Sequence, residues 1–422
     1  MVATRTWRCL FALTFLSLTA WSAEGGDWPG WRGPTSNGVA AEGKYPVEWT
    51  AEKNVAWKVA LPGSSGSSPA VWGDRIFVTC PKDGKNGLLC FDRSGKSLWE
   101  AEVGTEKPGK HKKGSGSSPS PTTDGKHVFV YYKSGDVAAY TLTGERVWHH
   151  NVQEMFGEDT LWWDLGTSPV LTQNDVVIAV MHSGPSYLVA FNKETGKQSW
   201  KQARDLGAPE EAAQAYSTPV VFQEGGQERL AVLGADHATC HDAVTGKELW
   251  RVGGLNPTQH KYFRSIAGPV VSDGIVVAPY GRGDTVTAIR LGGEGDVTKS
   301  HIAWMESSAG ADVPTPIAVN GKVYVCRDKG EVICRDIATG KSLWSATTEK
   351  NRNGYSASPI LADGKLYLVR EDGTTTVLSA ADGSQLAQNP LDEEFTVATP
   401  VFVDGQILIR TFKHLYCIGP KP

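Results

Sequence analysis

Residues 316–344 carry four short segments of period two. They are Pro316-Ile317-Ala318-Val319, Lys322-Val323-Tyr324-Val325, Val332-Ile333-Cys334 and Ser342-Leu343-Trp344, with Asn320-Gly321, Lys329-Gly330 and Thr339-Gly340 between them. Apolar alternation bounded by glycine turns predicts four antiparallel strands joined by hairpins. The same unit recurs along the chain. A small residue and a proline open each copy, at Ser68-Pro69, Ser118-Pro119, Ser168-Pro169, Thr218-Pro219, Gly268-Pro269, Thr315-Pro316, Ser358-Pro359 and Thr399-Pro400. Four-stranded units repeating every 41–50 residues are the blades of a β-propeller. A β-sandwich also has regular short strands, but its sequence does not repeat.

The fold class is therefore all-β, an eight-bladed β-propeller of four-stranded antiparallel blades. The last copy stops at Leu415-Tyr416-Cys417-Ile418 without an outer strand, and Asn54-Val55-Ala56-Trp57-Lys58-Val59 precedes the first proline. That strand is expected to complete the eighth blade and close the ring, which removes a free edge. A tryptophan ends most units: Trp57, Trp99, Trp148, Trp200, Trp250, Trp304 and Trp344, with Ala387 in the seventh. Their fixed place in the repeat assigns them to docking between blades, each burying about 150–250 Å². Asp92, Asp242 and Asp336 recur before the turn and are expected to accept hydrogen bonds from turn amides.

These residues resemble the tryptophan-docking motif of the quinoprotein-like propellers, the pyrroloquinoline quinone (PQQ) repeat proteins. That family includes quinoprotein alcohol dehydrogenases and BamB, the propeller subunit of the outer-membrane β-barrel assembly machinery. The motif stands as Cys240-His241-Asp242-Ala243-Val244-Thr245-Gly246 before Trp250, and as Cys334-Arg335-Asp336-Ile337-Ala338-Thr339-Gly340 before Trp344. The resemblance covers roughly residues 53–418 and implies the fold more than any activity. It implies either a non-catalytic BamB-like scaffold or a quinoprotein oxidoreductase. The family's enzymes are longer, hold PQQ with calcium through carboxylate and amide ligands, and often place adjacent cysteines over the quinone. No adjacent cysteines occur here and no calcium ligands can be matched, so neither PQQ nor another cofactor is expected, and no metal site.

The chain has 422 residues, with 42 basic and 46 acidic side chains and a net charge of −4, which excludes a strongly basic nucleic-acid binder. Glycine at 47 and tryptophan at 15, against only 4 methionines, fit a turn-rich β architecture. Residues 1–22 read as a cleavable signal peptide: Arg5 and Arg8 precede an uncharged run, and Ala20-Trp21-Ser22 suits cleavage. Cys9 is in no lipobox and no segment reaches membrane-spanning length, so a periplasmic or secreted monomer is expected. A tryptophan-rich strap, 23–52, with Asp27-Trp28-Pro29-Gly30-Trp31-Arg32-Gly33-Pro34, leads into the propeller at 53–418, and 419–422 form a tail. Of the cysteines, Cys90, Cys240, Cys334 and Cys417 occupy the small motif position and read as buried fillers. Cys80 with Cys90, and Cys326 with Cys334, could neighbour across hairpins. A two-residue Lys329-Gly330 turn sets Cys326 opposite Ile333, out of register for the second pair. The disulfide state stays open.

Function must lie where blades differ. The connectors between blades should rim the central channel on one face, those into blades two to five being longest. Just before the prolines, blades one and two offer Ser64–Ser67 and Ser115–Ser117. Elsewhere stand Trp162, Trp163, Asp164, Tyr216, His260, Tyr262, Arg264, Asp312, Arg352, Tyr355 and Glu394. The candidate binding set is Trp163, Asp164, Tyr216, Arg264, Asp312, Arg352 and Tyr355, with Trp163 and Tyr216 as stacking walls. Such a set can close on itself as a salt-bridged plug or admit a protein or carbohydrate partner. Trp163 and Arg264 lie outside the repeat, so their loss is expected to spare the fold. The basic run Lys107, Lys110, His111, Lys112, Lys113 is either a solvated loop or a dock for an acidic polymer. No nucleophile–base spacing assigns a catalytic residue.

Overall fold

The computed structural model describes residues 26–421; the signal-peptide reading lies outside them. Eight sheets, each with four antiparallel strands, follow one another around a ring. The first runs over residues 70–105, and the next six over 122–151, 170–203, 220–252, 270–307, 317–347 and 360–389. The eighth takes its inner three strands from 401–418 and its outer strand from Val55–Ala60, which pairs antiparallel with His414–Ile418. Closure by the N-terminal strand is thus as the truncated last repeat requires.

The docking tryptophans bind the next blade in a uniform way. Each of six indoles donates its Nε1 hydrogen to a backbone carbonyl of the neighbouring hairpin turn. Trp57 reaches Arg93 at 2.8 Å, Trp99 Leu142 at 3.0 Å and Trp148 Lys193 at 2.9 Å. Trp200, Trp304 and Trp344 bind Ala243, Ile337 and Ala380 likewise. The turn glycine lies against the ring: a Cβ on Gly246 would stand 2.4 Å from Trp200, and its φ of +74° already favours glycine. At about 25 cal/mol/Å² each indole contributes a gross ~4–6 kcal/mol. Asp92, Asp242 and Asp336 accept turn amides as expected. The Thr339 hydroxyl and amide hold the Asp336 carboxyl below the usual range.

Two seams depart from the pattern. Trp250 is fully buried, yet its Nε1 has no partner among the described residues. The fifth blade lacks the Thr-Gly turn that would offer a carbonyl. Its insertion instead sends Gly295–Asp296 to pair in parallel with Trp250–Arg251, as a fifth strand on blade four. At the seventh blade, where Ala387 replaces tryptophan, Trp49 of the strap is buried in the same apolar cluster and its amide donates to Asn389 Oδ1 at 3.0 Å. The strap supplies the missing indole.

The inner strands are linked by hydroxyls. The amide of Ser68 donates to Ser120 Oγ, that of Ser120 to Ser168 Oγ, and that of Ser168 to Thr218 Oγ1, at 2.9–3.0 Å. Gly268, Thr315 and Ser358 continue the chain of bonds to Thr315, Ser358 and Thr399. This corrects the reading of blade two: its anchor is Ser120-Pro121, ahead of the strand Thr122–Thr123, and not Ser118-Pro119 two residues earlier. The hairpins also correct the cysteine register. Cys326 faces Val332 rather than Ile333, and Cys80 faces Gly87 rather than Cys90. All six described cysteines are buried free thiols.

The strap crosses the face opposite the blade connectors. Trp28 exchanges backbone bonds with Val71, Pro29 accepts from Thr123, and Gly38 and Ala40 flank Leu361. Arg32, fully buried, donates to the carbonyls of Thr315 and Pro316 and to Asn37. Asn37 Nδ2 reaches Val271. With the Trp31 indole donating to Thr399 Oγ1, blades one, two, five, six, seven and eight are tied to one segment.

Candidate functional site

Every inner strand runs away from the connector that precedes it, so the second strand returns and its hairpin to the third strand lies at the connector face. Two sets of loops therefore meet at one mouth. They enclose a cavity of about 610 Å³ within the channel. Its walls are the small residues of the hydroxyl chain, among them Ser120, Ser168 and Thr315. Trp31 of the strap lines it from the far side and donates to Thr399 Oγ1 at 3.3 Å.

All seven candidate residues line this cavity. They divide by chemistry. Asp164 is buried and ion-paired with buried Lys133 at 2.6 Å, and it accepts the amides of Lys110 and His111. It clamps the basic loop to the mouth. Arg264 holds Asp312 through both guanidinium nitrogens at 3.2–3.3 Å, and its Nε stands 3.4 Å from Glu211. Tyr216 is buried; its hydroxyl donates to Gln214 Oε1 at 2.7 Å and accepts from the amide of Trp163. Tyr355 is buried against Thr376. Burial pushes both phenols above their ordinary range. These five form the self-satisfied network. Tyr216 is accordingly a support and not a stacking wall.

Trp163 and Arg352 remain presented. The Trp163 side chain is 45% exposed with the residue, donates Nε1 to Glu211 at 2.8 Å and meets the His111 ring edge-on at 6.0 Å. Arg352 is exposed and makes no ion pair with a described residue. Arg264, by contrast, is the cation paired with two carboxylates, Glu211 and Asp312, so its removal would strand buried charge. The expectation that its loss spares the fold is corrected accordingly. Trp162, His260, Tyr262 and Glu394 do not line the cavity.

Sequence reasoning missed the hairpin residues of the mouth, namely Arg282, Asp328, Lys329 and Glu371. Their signal was charge within two or three residues of the end of the second strand in blades five, six and seven. Glu371 accepts from Lys113 at 2.5 Å and from the Ser356 hydroxyl at 2.6 Å. Asp328 accepts the amides of Asp312 and Val313, and burial raises its carboxyl above the ordinary range. Of the basic run, Lys107, Lys110 and Lys113 are engaged, by Glu158, Leu161 and Glu371.

The donor set does not fit a calcium–quinone centre. Each cavity carboxylate is committed to a cation or to amides, and no group of three carboxylates, imidazoles or thiols comes together among the described residues.

A closed ring of PQQ-type repeats around a charge-bearing mouth defines the class as a quinoprotein-like propeller. The chain belongs to the family described as outer membrane protein assembly factor BamB, which matches residues 39–210 and 295–407. It is 24% identical over 372 residues to the outer membrane protein assembly factor BamB of Burkholderia pseudomallei (strain K96243), covering 86% of this chain and 84% of that protein. The fold is shared with the crystal structure of BamB from Moraxella catarrhalis, at TM-score 0.62 and 12% identity over 86% of this chain and 99% of that one. It is shared equally with quinohemoprotein alcohol dehydrogenase from Comamonas testosteroni, at TM-score 0.69 and 13% identity over 94% and 81%. No described helix is long and apolar enough to cross a membrane.

Proposed function

We propose that this chain is an exported, non-catalytic BamB-like propeller that binds a protein or carbohydrate partner of the cell envelope through its channel mouth. The observation that carries this reading is the mouth itself. Side chains outside the repeat, from connectors and hairpins of several blades, converge on one open cavity while the repeat residues are spent on the ring. Family membership supports an envelope setting, as does the targeting character of residues 1–22. The committed carboxylates speak against a quinone centre.

A photo-cross-linker at position 352, on the intact chain in its native envelope, tests the reading. A discrete adduct that is absent when the cross-linker stands on an outer strand is expected. Adducts from the outer strands alone would move the binding surface to the blade edges. Titration with PQQ and calcium is expected to give no saturable absorbance change, and dye reduction in that assay would establish the quinoprotein alternative instead.

A further inference from the structure

The charges of the mouth do not cancel. Three of its four lining carboxylates are paired with cations, Asp164 with Lys133, Asp312 with Arg264 and Glu371 with Lys113; Arg264 is shared with Glu211 behind the wall, and Asp328 is turned onto two backbone amides. Three cations, Arg282, Lys329 and Arg352, line the same cavity, are exposed, and make no ion pair or side-chain hydrogen bond with any described residue. They come from successive blades, five and six through hairpins and seven through its connector. Arg282 sits between two glycines with φ +56° and ψ +42°, a left-handed backbone unusual for a residue with a side chain. A positive arc therefore edges a channel in a protein whose net charge is −4. Cations gathered on the low-dielectric wall of a cleft concentrate anions there.

The remaining surfaces narrow the ligand. The same cavity carries the half-exposed indole of Trp163 and the hydroxyl-bearing walls of the channel; aliphatic lining is confined to a few residues such as Leu165, Ile266, Val313 and Val397. A peptide side chain would find no deep apolar pocket. A sugar ring offers what these groups take: a C–H face for the indole and hydroxyls for serine and threonine, with carboxylates for the guanidinium groups. The geometry points to an acidic oligosaccharide, a glycan bearing uronate-type carboxylates, as the ligand of the mouth, with Arg282, Lys329 and Arg352 binding its carboxylates and Trp163 stacking on a ring. This inference rests on the reading of the mouth as the binding surface and names its ligand.

Isothermal titration of the purified chain with tetragalacturonate, maltotetraose and tetraglutamate tests it. Saturable binding of tetragalacturonate is expected, weakening as salt is raised. Arg282→Ala, Lys329→Ala and Arg352→Ala should each raise Kd about tenfold, as for loss of a charged hydrogen bond. Trp163→Phe should preserve part of the affinity and Trp163→Ala should not. Because the three cations are exposed, melting temperatures of these variants should match the parent, which separates lost binding from lost fold. Equal affinity for maltotetraose would overturn the role of charge. Tighter binding of tetraglutamate would overturn the glycan and assign an acidic peptide. Absence of binding by every probe would overturn the inference while the position-352 adduct persisted; loss of the adduct as well would remove the mouth reading itself.

Discussion

At the scale of single residues, two tryptophans of the same repeat position differ in one hydrogen bond. Trp148 donates to Lys193, whereas the more deeply buried Trp250 donates to nothing described. Trp148→Phe leaves a buried carbonyl unpaired, a cost of about 1–3 kcal/mol. Trp250→Phe removes an indole nitrogen that has no partner, so chemical denaturation should show the smaller loss there. Trp250→Ala should cost roughly 3–5 kcal/mol through the cavity it opens. Another residue, His241, reports on pH. Its Nδ1 is 3.0 Å from the Gly246 carbonyl and its Nε2 2.9 Å from Thr239 Oγ1. Burial above all, then Arg204, lowers its pKa from 6.5 to about 4. Above pH 6.5 the ring is neutral in both states. As pH falls toward 4 the unfolded chain takes the proton first, and stability of the order of 3 kcal/mol is lost. His241→Gln should flatten the pH dependence of unfolding across that window relative to the parent.

At the scale of elements, the strap and the closing strand are separable. The strand Val55–Ala60 supplies the eighth blade's outer edge; residues 26–52 tie the turn face and bring Trp49 to the Ala387 seam. Removing residues 26–52 should lower the melting temperature while leaving a monomer in light scattering. Removing 26–60 should lower it further and promote association through the opened edge. Both elements illustrate what a repeat makes legible. Ring closure was readable because the last copy visibly lacked a strand. The docking role of Trp57 was readable because six others shared its register. Trp49 was not, since it compensates for a departure from the repeat and belongs to no copy. The blade-two anchor was misplaced because two Ser-Pro pairs stand two residues apart, and they are distinguished by the bonds of Ser120, whose hydroxyl accepts the Ser68 amide and whose amide donates to Ser168. The mouth was half legible. Connector residues were found by their distance from the prolines, but Arg282 and Lys329 lie on hairpins within the blades. That those turns share a face with the connectors follows from strand direction, which had not been applied to them.

At the scale of the whole molecule, the mouth and the ring are built from different side chains, but they are not independent. Lys133 and Asp164 are buried together at 2.6 Å. Lys133→Met should destabilise the protein by roughly 3–5 kcal/mol, because it leaves a buried carboxylate uncompensated. Arg264→Ala should do likewise through Glu211 and Asp312, whereas Arg352→Ala should leave thermal unfolding unchanged. A calorimetric comparison of the three variants would separate the frame of the mouth from its presented groups.

The bond from Trp31 to Thr399 spans 368 residues of sequence, and that from Arg410 to Ser67 spans 343. A chain that emerges N-terminus first must therefore hold its opening segment in waiting until nearly all the rest has been delivered. Until His414–Ile418 arrive, Val55–Ala60 has no sheet to join, and Trp28, Trp31 and Trp49 have no completed face to cover. Loop closure of this span makes the final step slow and leaves an apolar, unpaired leading end exposed during delivery. The arrangement that ties six blades together in the finished ring thus makes a segment synthesised before every blade the last to settle, and places its period of greatest vulnerability before the eighth blade is delivered.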